Sequence, residues 1–200
     1  MALDPEKVKS ALARLRPFSG RIFGTAEHHF RVNAPLIEQE VQAFEADYRI
    51  QLPAEYRHFI STIGNGGAGP FYGFFPLGLM DHVFGLAPWT MAEGFVGTLS
   101  EPFPHNDGWN DLTGSPEKSG IDFKSPEYDR LAEEFERHYW SGSVMNGAMP
   151  ICHTGCSLRM WLVVTGSQAG SLWYDKRAEL GGVMPLIQDD VVPTMAGSMP

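Results

Sequence analysis

LPAEYRHFISTIGNGGAGPFYGFFPLG, residues 52–78, places a helix start, a helix stop and an aromatic run within one short stretch. Pro53 has a fixed φ and no amide hydrogen to lose, so a helix is expected to start there, and Leu52 before it is pushed towards an extended conformation. Tyr56, Phe59, Ile60 and Ile63 recur at helical spacing and define the inner face, leaving Glu55, Arg57, His58 and Ser61 outside. Gly64 stops the helix. Asn65, Gly66 and Gly67 tolerate positive φ and let the chain reverse. Phe71, Tyr72, Phe74 and Phe75 then suit a strand better than a helix.

Working outward, Pro35 to about Arg49 predicts a second helix, with Leu36, Ile37, Val41, Phe44 and Tyr48 inward and Glu38, Gln39, Glu40, Gln42, Glu45 and Asp47 outward. Near the N-terminus Asp4 can cap a short helix with Pro5 at its first position and a stripe of Val8, Ala11, Leu12 and Leu15. It is expected to dock on the domain, followed by a connector with a short strand around Phe30–Val32. Ser125 and Pro126 open another helix, buried through Tyr128, Leu131, Phe135 and Tyr139. Met160–Thr165 and Ser171–Asp175 are apolar runs around a Gly-bounded loop, which makes a hairpin with Trp161, Val163 and Trp173 on core faces. Residues 91–99 give no decided pattern.

LP-x-x-Y-R-x-F-I, a spacer, N-G-G and an aromatic run ending F-P-L-G resembles the signature of the SMI1/KNR4 family, also called the SUKH superfamily. The residues that carry the resemblance are Leu52, Pro53, Tyr56, Phe59, Asn65, Gly66 and Gly67, with Phe44 and Glu45 leading into the LP step. ICHTGCS followed by WLVVTGSQAGSLWYD, containing Trp161, Gly170 and Trp173, is similar to the family's second half. Leu172 and Ser157 depart mildly from it, the latter where a glycine is common. The resemblance implies an α+β fold: a mostly antiparallel, aromatic-rich sheet with several helices packed against it. The expected layout is an N-terminal helix and connector over 1–34, the family domain over 35–187 and a tail over 188–200.

A hydrophobic content of 43% is ample for one core without disulfides. Cys152 and Cys156 are the only cysteines and fit a reducing cytosol. With His153 they fall one pair short of a closed zinc site, and two small thiols packed at a strand corner are expected. No apolar run approaches a membrane span, and an N-terminus with Asp4 and Glu6 does not read as a signal peptide. A soluble cytoplasmic protein is expected. Acidic residues number 24 against 15 basic, a net charge of −9 that repels phosphate backbones and argues against direct nucleic-acid binding. His28 and His29, side by side on an extended connector, would point to opposite faces and could not share a metal.

The long loop from Glu101 to Ser119 is rich in Pro, Gly, Asn, Asp and Ser, and such loops are often functional. Its Glu101, His105, Asp107, Trp109 and Asp111 are the candidate partner-binding residues; their spacing matches no metal motif. Nucleophile-elbow, P-loop, dinucleotide and HExxH motifs are absent, so no catalytic residue, cofactor or metal is expected. The resemblance implies a protein-binding module instead. Bacterial members resemble immunity proteins that block a cognate toxin, often a nuclease, and the net charge suits masking a basic toxin domain. The alternative is a regulatory or scaffolding protein of the fungal type, related to cell-wall synthesis. A monomer or weak homodimer is expected in either case.

Overall fold

A computed structural model describes residues 4–82, 85–91 and 95–186. The expected 188–200 tail lies outside the described residues, as do residues 92–94 of the undecided stretch. Asp4 caps α1 (Pro5–Leu15), accepting from the amides of Glu6 and Lys7. The helix lies against the turn at Phe59–Ile63, yet buries none of its residues. After the short α2 (Thr25–His28), the expected strand near Phe30–Val32 is reduced to one bridge, Val32 to Gly67. His28 and His29 therefore sit on a helical corner rather than an extended chain.

Helix α3 (Glu38–Tyr48) starts later than the sequence suggests, because Ile37 is its N-cap and is 61% exposed rather than inward. The Ile37 amide donates to the Glu40 carboxylate at 2.8 Å, which satisfies one otherwise orphaned donor. Pro53 likewise caps α4 (Ala54–His58) with an extended backbone instead of occupying its first turn. The connection between these helices explains the spacing of Glu45, Leu52-Pro53 and Arg57. The Glu45 Oε1 accepts from the Leu52 amide at 2.9 Å and from Arg57 Nε at 3.4 Å, while Arg57 also grips Glu38. Arg57, read as outward, is thus a half-buried strut between helices.

From Phe59 to Ile63 the helix widens to a π turn, with the Gly64 amide donating to the Phe59 carbonyl. The Ser61 and Thr62 hydroxyls donate to the carbonyls of Arg57 and His58 and support the wider turn. Ile60 and Ile63 are fully buried as expected; Tyr56 and Phe59 are only partly so and flank the core. Gly67 has φ +89, and a Cβ there would lie 2.5 Å from the Arg31 carbonyl, so the reversal requires glycine. Asn65 Oδ1 closes the turn by accepting from the Leu77 amide.

The aromatic run corrects the strand expected there. Phe71 (φ +50) and Gly73 (φ +93) both break an extended path, and Phe74 alone bridges to Gly67 and Cys152. A small hairpin that the sequence pattern does not mark, β1 (Leu79–His82) with β2 (Gly85–Pro88), follows.

The main sheet is antiparallel, in the order β3 (Ala148–Gly155), β4 (Leu158–Val163), β5 (Leu172–Asp175), β6 (Val183–Pro185). Period-two alternation divides the core. Met160 and Leu162 face the cluster that includes Val41, Leu52 and Ile60, whereas Trp161, Val163 and Trp173 face Phe103, Val144 and Met145. Helix α5 (Pro126–Tyr139) is capped by Ser125, which accepts from the Tyr128 amide, and buries Phe135 and Tyr139.

Cys156 and Ser157 form the two-residue turn between β3 and β4, both with positive φ (+50 and +61). Cys156 is exposed, not packed as expected, while Cys152 is buried and its thiol is pushed up to about 12 by burial. Because two left-handed residues suit a hairpin turn but disfavour an L side chain, Ser157→Gly should stabilise the protein by about 1 kcal/mol. A higher urea midpoint at unchanged slope would register it; an unchanged or lower midpoint would refute it.

Candidate functional site

The loop from Glu101 to Asp111 crosses the outer side of the second core cluster, and its aromatics determine how much of it can move. Its start is tied down by the Phe103 amide, which donates to the Thr165 carbonyl at 2.9 Å. Phe103 is buried edge-on against Trp173, with ring centres 4.8 Å apart. His105 continues that stack between Phe103 and Trp109, and Nε2 meets the Val144 carbonyl at 2.8 Å. Trp109 pairs its backbone with Val183 of β6 through two 2.8 Å hydrogen bonds, and its ring stacks on Tyr139 of α5.

Asp111 reaches the same helix. Its Oδ1 accepts from the Thr113 amide at 2.9 Å, and its Oδ2 lies 3.2 Å from His138 Nε2. Hydrogen bonds from Thr113, then from His138, hold the Asp111 carboxyl below the ordinary aspartate range. Asn110 Oδ1 accepts from the Tyr139 hydroxyl, which also accepts from the Gly182 amide. Loop, helix and edge strand are therefore cross-tied by Trp109, Asn110 and Asp111.

The five sequence candidates fall into two groups. His105 and Trp109 are partly buried and spend most of their surface on internal packing. Glu101 and Asp107 are exposed, and Asp111 stands at the border beside a groove of about 650 Å³ lined by Asn110, Thr113, Ser115 and Leu131. Helix α5 adds Glu127, Asp129, Glu133, Glu134 and Glu136, all exposed, against exposed Arg130, Arg137 and His138. Glu134 lies one turn before His138 on the same stripe and pairs with Arg130 at 3.2 Å. The sequence separates the loop from α5; the stack of Trp109 on Tyr139 joins them. Chemically, the loop end and α5 together offer one held carboxylate, Asp111, and several exposed ones to a positively charged partner. Among the described residues no three His, Cys, Asp or Glu side chains are placed to hold a metal ion.

His105 gives the loop a pH dependence. Burial lowers its pKa, the Val144 hydrogen bond opposes this, and Arg177 lowers it further. The unfolded chain binds a proton near the ordinary histidine value of about 6.5, while the folded chain resists doing so. The stability associated with neutral His105 is therefore complete above that value and is lost as pH falls. His28, lowered mainly by burial, acts in the same direction. The thermal midpoint should fall from pH 7 to pH 5, less steeply in His105→Gln; equal slopes would contradict the assignment.

The model of the SMI1 / KNR4 family (SUKH-1) matches residues 35–182. No curated protein and no solved structure matches the chain.

Proposed function

We propose, from the premise that this chain belongs to the SMI1/KNR4 family (SUKH-1), that it is a cytoplasmic immunity protein that binds and neutralises a basic toxin domain. Family membership supports a protein-binding, non-catalytic module. The observation that supports an acidic contact face is the cross-tie of Trp109, Asn110 and Asp111 to α5, which braces that end of the loop against a helix carrying five exposed carboxylates. Pre-organisation of that kind lowers the ordering cost of association, and carboxylates steer a cationic partner. No described helix is long and apolar enough to cross a membrane.

Co-expression with the toxin encoded beside the gene should restore growth, and the purified proteins should co-elute. Glu101→Lys combined with Asp107→Lys should slow association and reduce its salt dependence without altering the fold. Failure of any neighbouring gene product to bind would overturn the immunity reading and favour a regulatory or scaffolding role. Binding that ignores the double substitution would move the contact elsewhere on the molecule.

A further inference from the structure

Arg14 to Phe23 reads RLRPFSGRIF, three arginines interleaved with four large apolar residues. Between Glu6 and Glu27 the chain carries five cations and no carboxylate, in a protein whose net charge is −9. Lys7 meets Asp4 at 3.9 Å. Lys9, Arg14, Arg16 and Arg21 are all exposed and have no ion-pair partner among the described residues. Leu15, Phe18, Ile22 and Phe23 are between 40% and 62% exposed. Single exposed apolar side chains are ordinary, but four of them within residues 15–23 make a patch of the kind that marks an interaction surface.

The patch is braced from below. The buried Thr25 gathers the loop: its Oγ1 donates to the Ile22 carbonyl at 2.7 Å and accepts from the Gly20 amide at 3.0 Å, and its carbonyl accepts from Ser19 Oγ at 3.2 Å. Phe23 stands edge-on to Tyr72 and Phe71, with ring centres 5.2 and 6.4 Å away, and Phe71 is itself exposed. The apolar surface therefore continues from the loop onto the domain. Arg14 and Arg16 fall on either side of Leu15 on the turn that ends α1. Helix α1 packs against Phe59–Ile63 on the sheet face addressed by Met160 and Leu162, whereas α5 meets Trp109 over the face of Trp161 and Trp173. The sheet thus lies between the arginines and the α5 carboxylates, and physiological salt screens exposed charges beyond about 8 Å.

Guanidinium groups suit phosphate esters, and apolar side chains set between them suit the boundary between lipid headgroups and acyl chains. Nucleic acid fits less well, because Leu15 and Ile22 offer no ring face to a base. We propose that Arg14–Phe23, with Phe71, docks the chain reversibly on an anionic lipid bilayer. Arg14, Arg16 and Arg21 meet the lipid phosphates, and Phe18, Ile22 and Phe23 enter the acyl boundary. This surface is separate from the proposed toxin contact, and neither reading depends on the other.

Flotation of the full chain with vesicles of equal parts phosphatidylglycerol and phosphatidylcholine tests this. The protein should float with them, stay behind with phosphatidylcholine alone, and bind more weakly as salt is raised. Arg16→Gln with Arg21→Gln should weaken binding about thirtyfold. Phe18→Ser with Ile22→Ser should weaken it by about tenfold or more. All four positions are exposed, so the thermal midpoints should not change. Arg49→Gln with Lys124→Gln removes the same charge at exposed positions elsewhere and should leave flotation intact. Absence of flotation with the anionic vesicles, equal flotation with phosphatidylcholine alone, or equal losses from the two charge-removing pairs would overturn the proposal. Self-association that Phe18→Ser with Ile22→Ser abolishes, in a protein that ignores vesicles, would overturn it as well and assign the patch to a second copy of the chain.

Discussion

Arg177→Ala is expected to cost about 3–5 kcal/mol, because it strands a carboxylate inside the protein. Arg177 is fully buried and Asp175 is 4% exposed. Two parallel contacts join them: Nε to Oδ1 at 3.0 Å and Nη2 to Oδ2 at 2.8 Å. Nη1 donates to the Tyr139 carbonyl at 3.2 Å, and the guanidinium lies 5.0 Å from the Trp140 ring centre. The pair therefore clamps the end of α5 to the end of β5. Removing the arginine leaves Asp175 with only the Arg177 backbone amide as donor among these contacts. Asp175→Leu with Arg177→Met removes both charges and should recover much of the loss, as buried pairs replaced by apolar groups commonly do. Urea unfolding of the single and double variants checks this; a loss below about 1 kcal/mol in the single variant would show that the pair is not clamping the fold.

That pair marks the boundary of what the sequence could reveal. Local chemistry was legible wherever one short segment carried the whole cause. Ser125-Pro126 capped α5, the Asn65-Gly66-Gly67 reversal needed its glycines, and the apolar runs on either side of Gly166–Gly170 paired as β4 and β5. Readings failed where the cause lay far along the chain. Arg57 looked solvated because its acceptors, Glu38 and Glu45, belong to another helix. Phe71–Phe75 had strand composition, but the strained turn and contacts with Gly67 and β3 leave a single bridging residue. Ile37 is the local exception: it fits the helical stripe, but it is the N-cap of a helix that begins at Glu38, its amide donates to the Glu40 carboxylate, and its side chain is exposed. In the candidate loop, polarity identified Glu101 and Asp107 as exposed, whereas the packing of His105 and Trp109 depended on Trp173 and Tyr139.

Trp173→Ala should cost about 3–5 kcal/mol and, unlike an ordinary core truncation, should loosen the acidic loop. Trp173 is fully buried at the centre of β5, opposite Trp161 on β4, and its indole N–H donates to Ser171 Oγ at 3.0 Å. The ring also supports Phe103 and His105, so its loss opens a void directly beneath the loop. Phe59→Ala should cost less, since Phe59 is only partly buried and its removal leaves a space the surface can close. The two variants therefore separate stability from loop support. At a temperature where both remain folded, protease cleavage within residues 101–111 should rise in Trp173→Ala and stay unchanged in Phe59→Ala. If the acidic face binds the partner, affinity should fall in Trp173→Ala beyond what its unfolded fraction accounts for, through ordering of the released loop. Unchanged cleavage with a full stability loss would place the support of the loop in its backbone ties to Thr165 and Val183 instead.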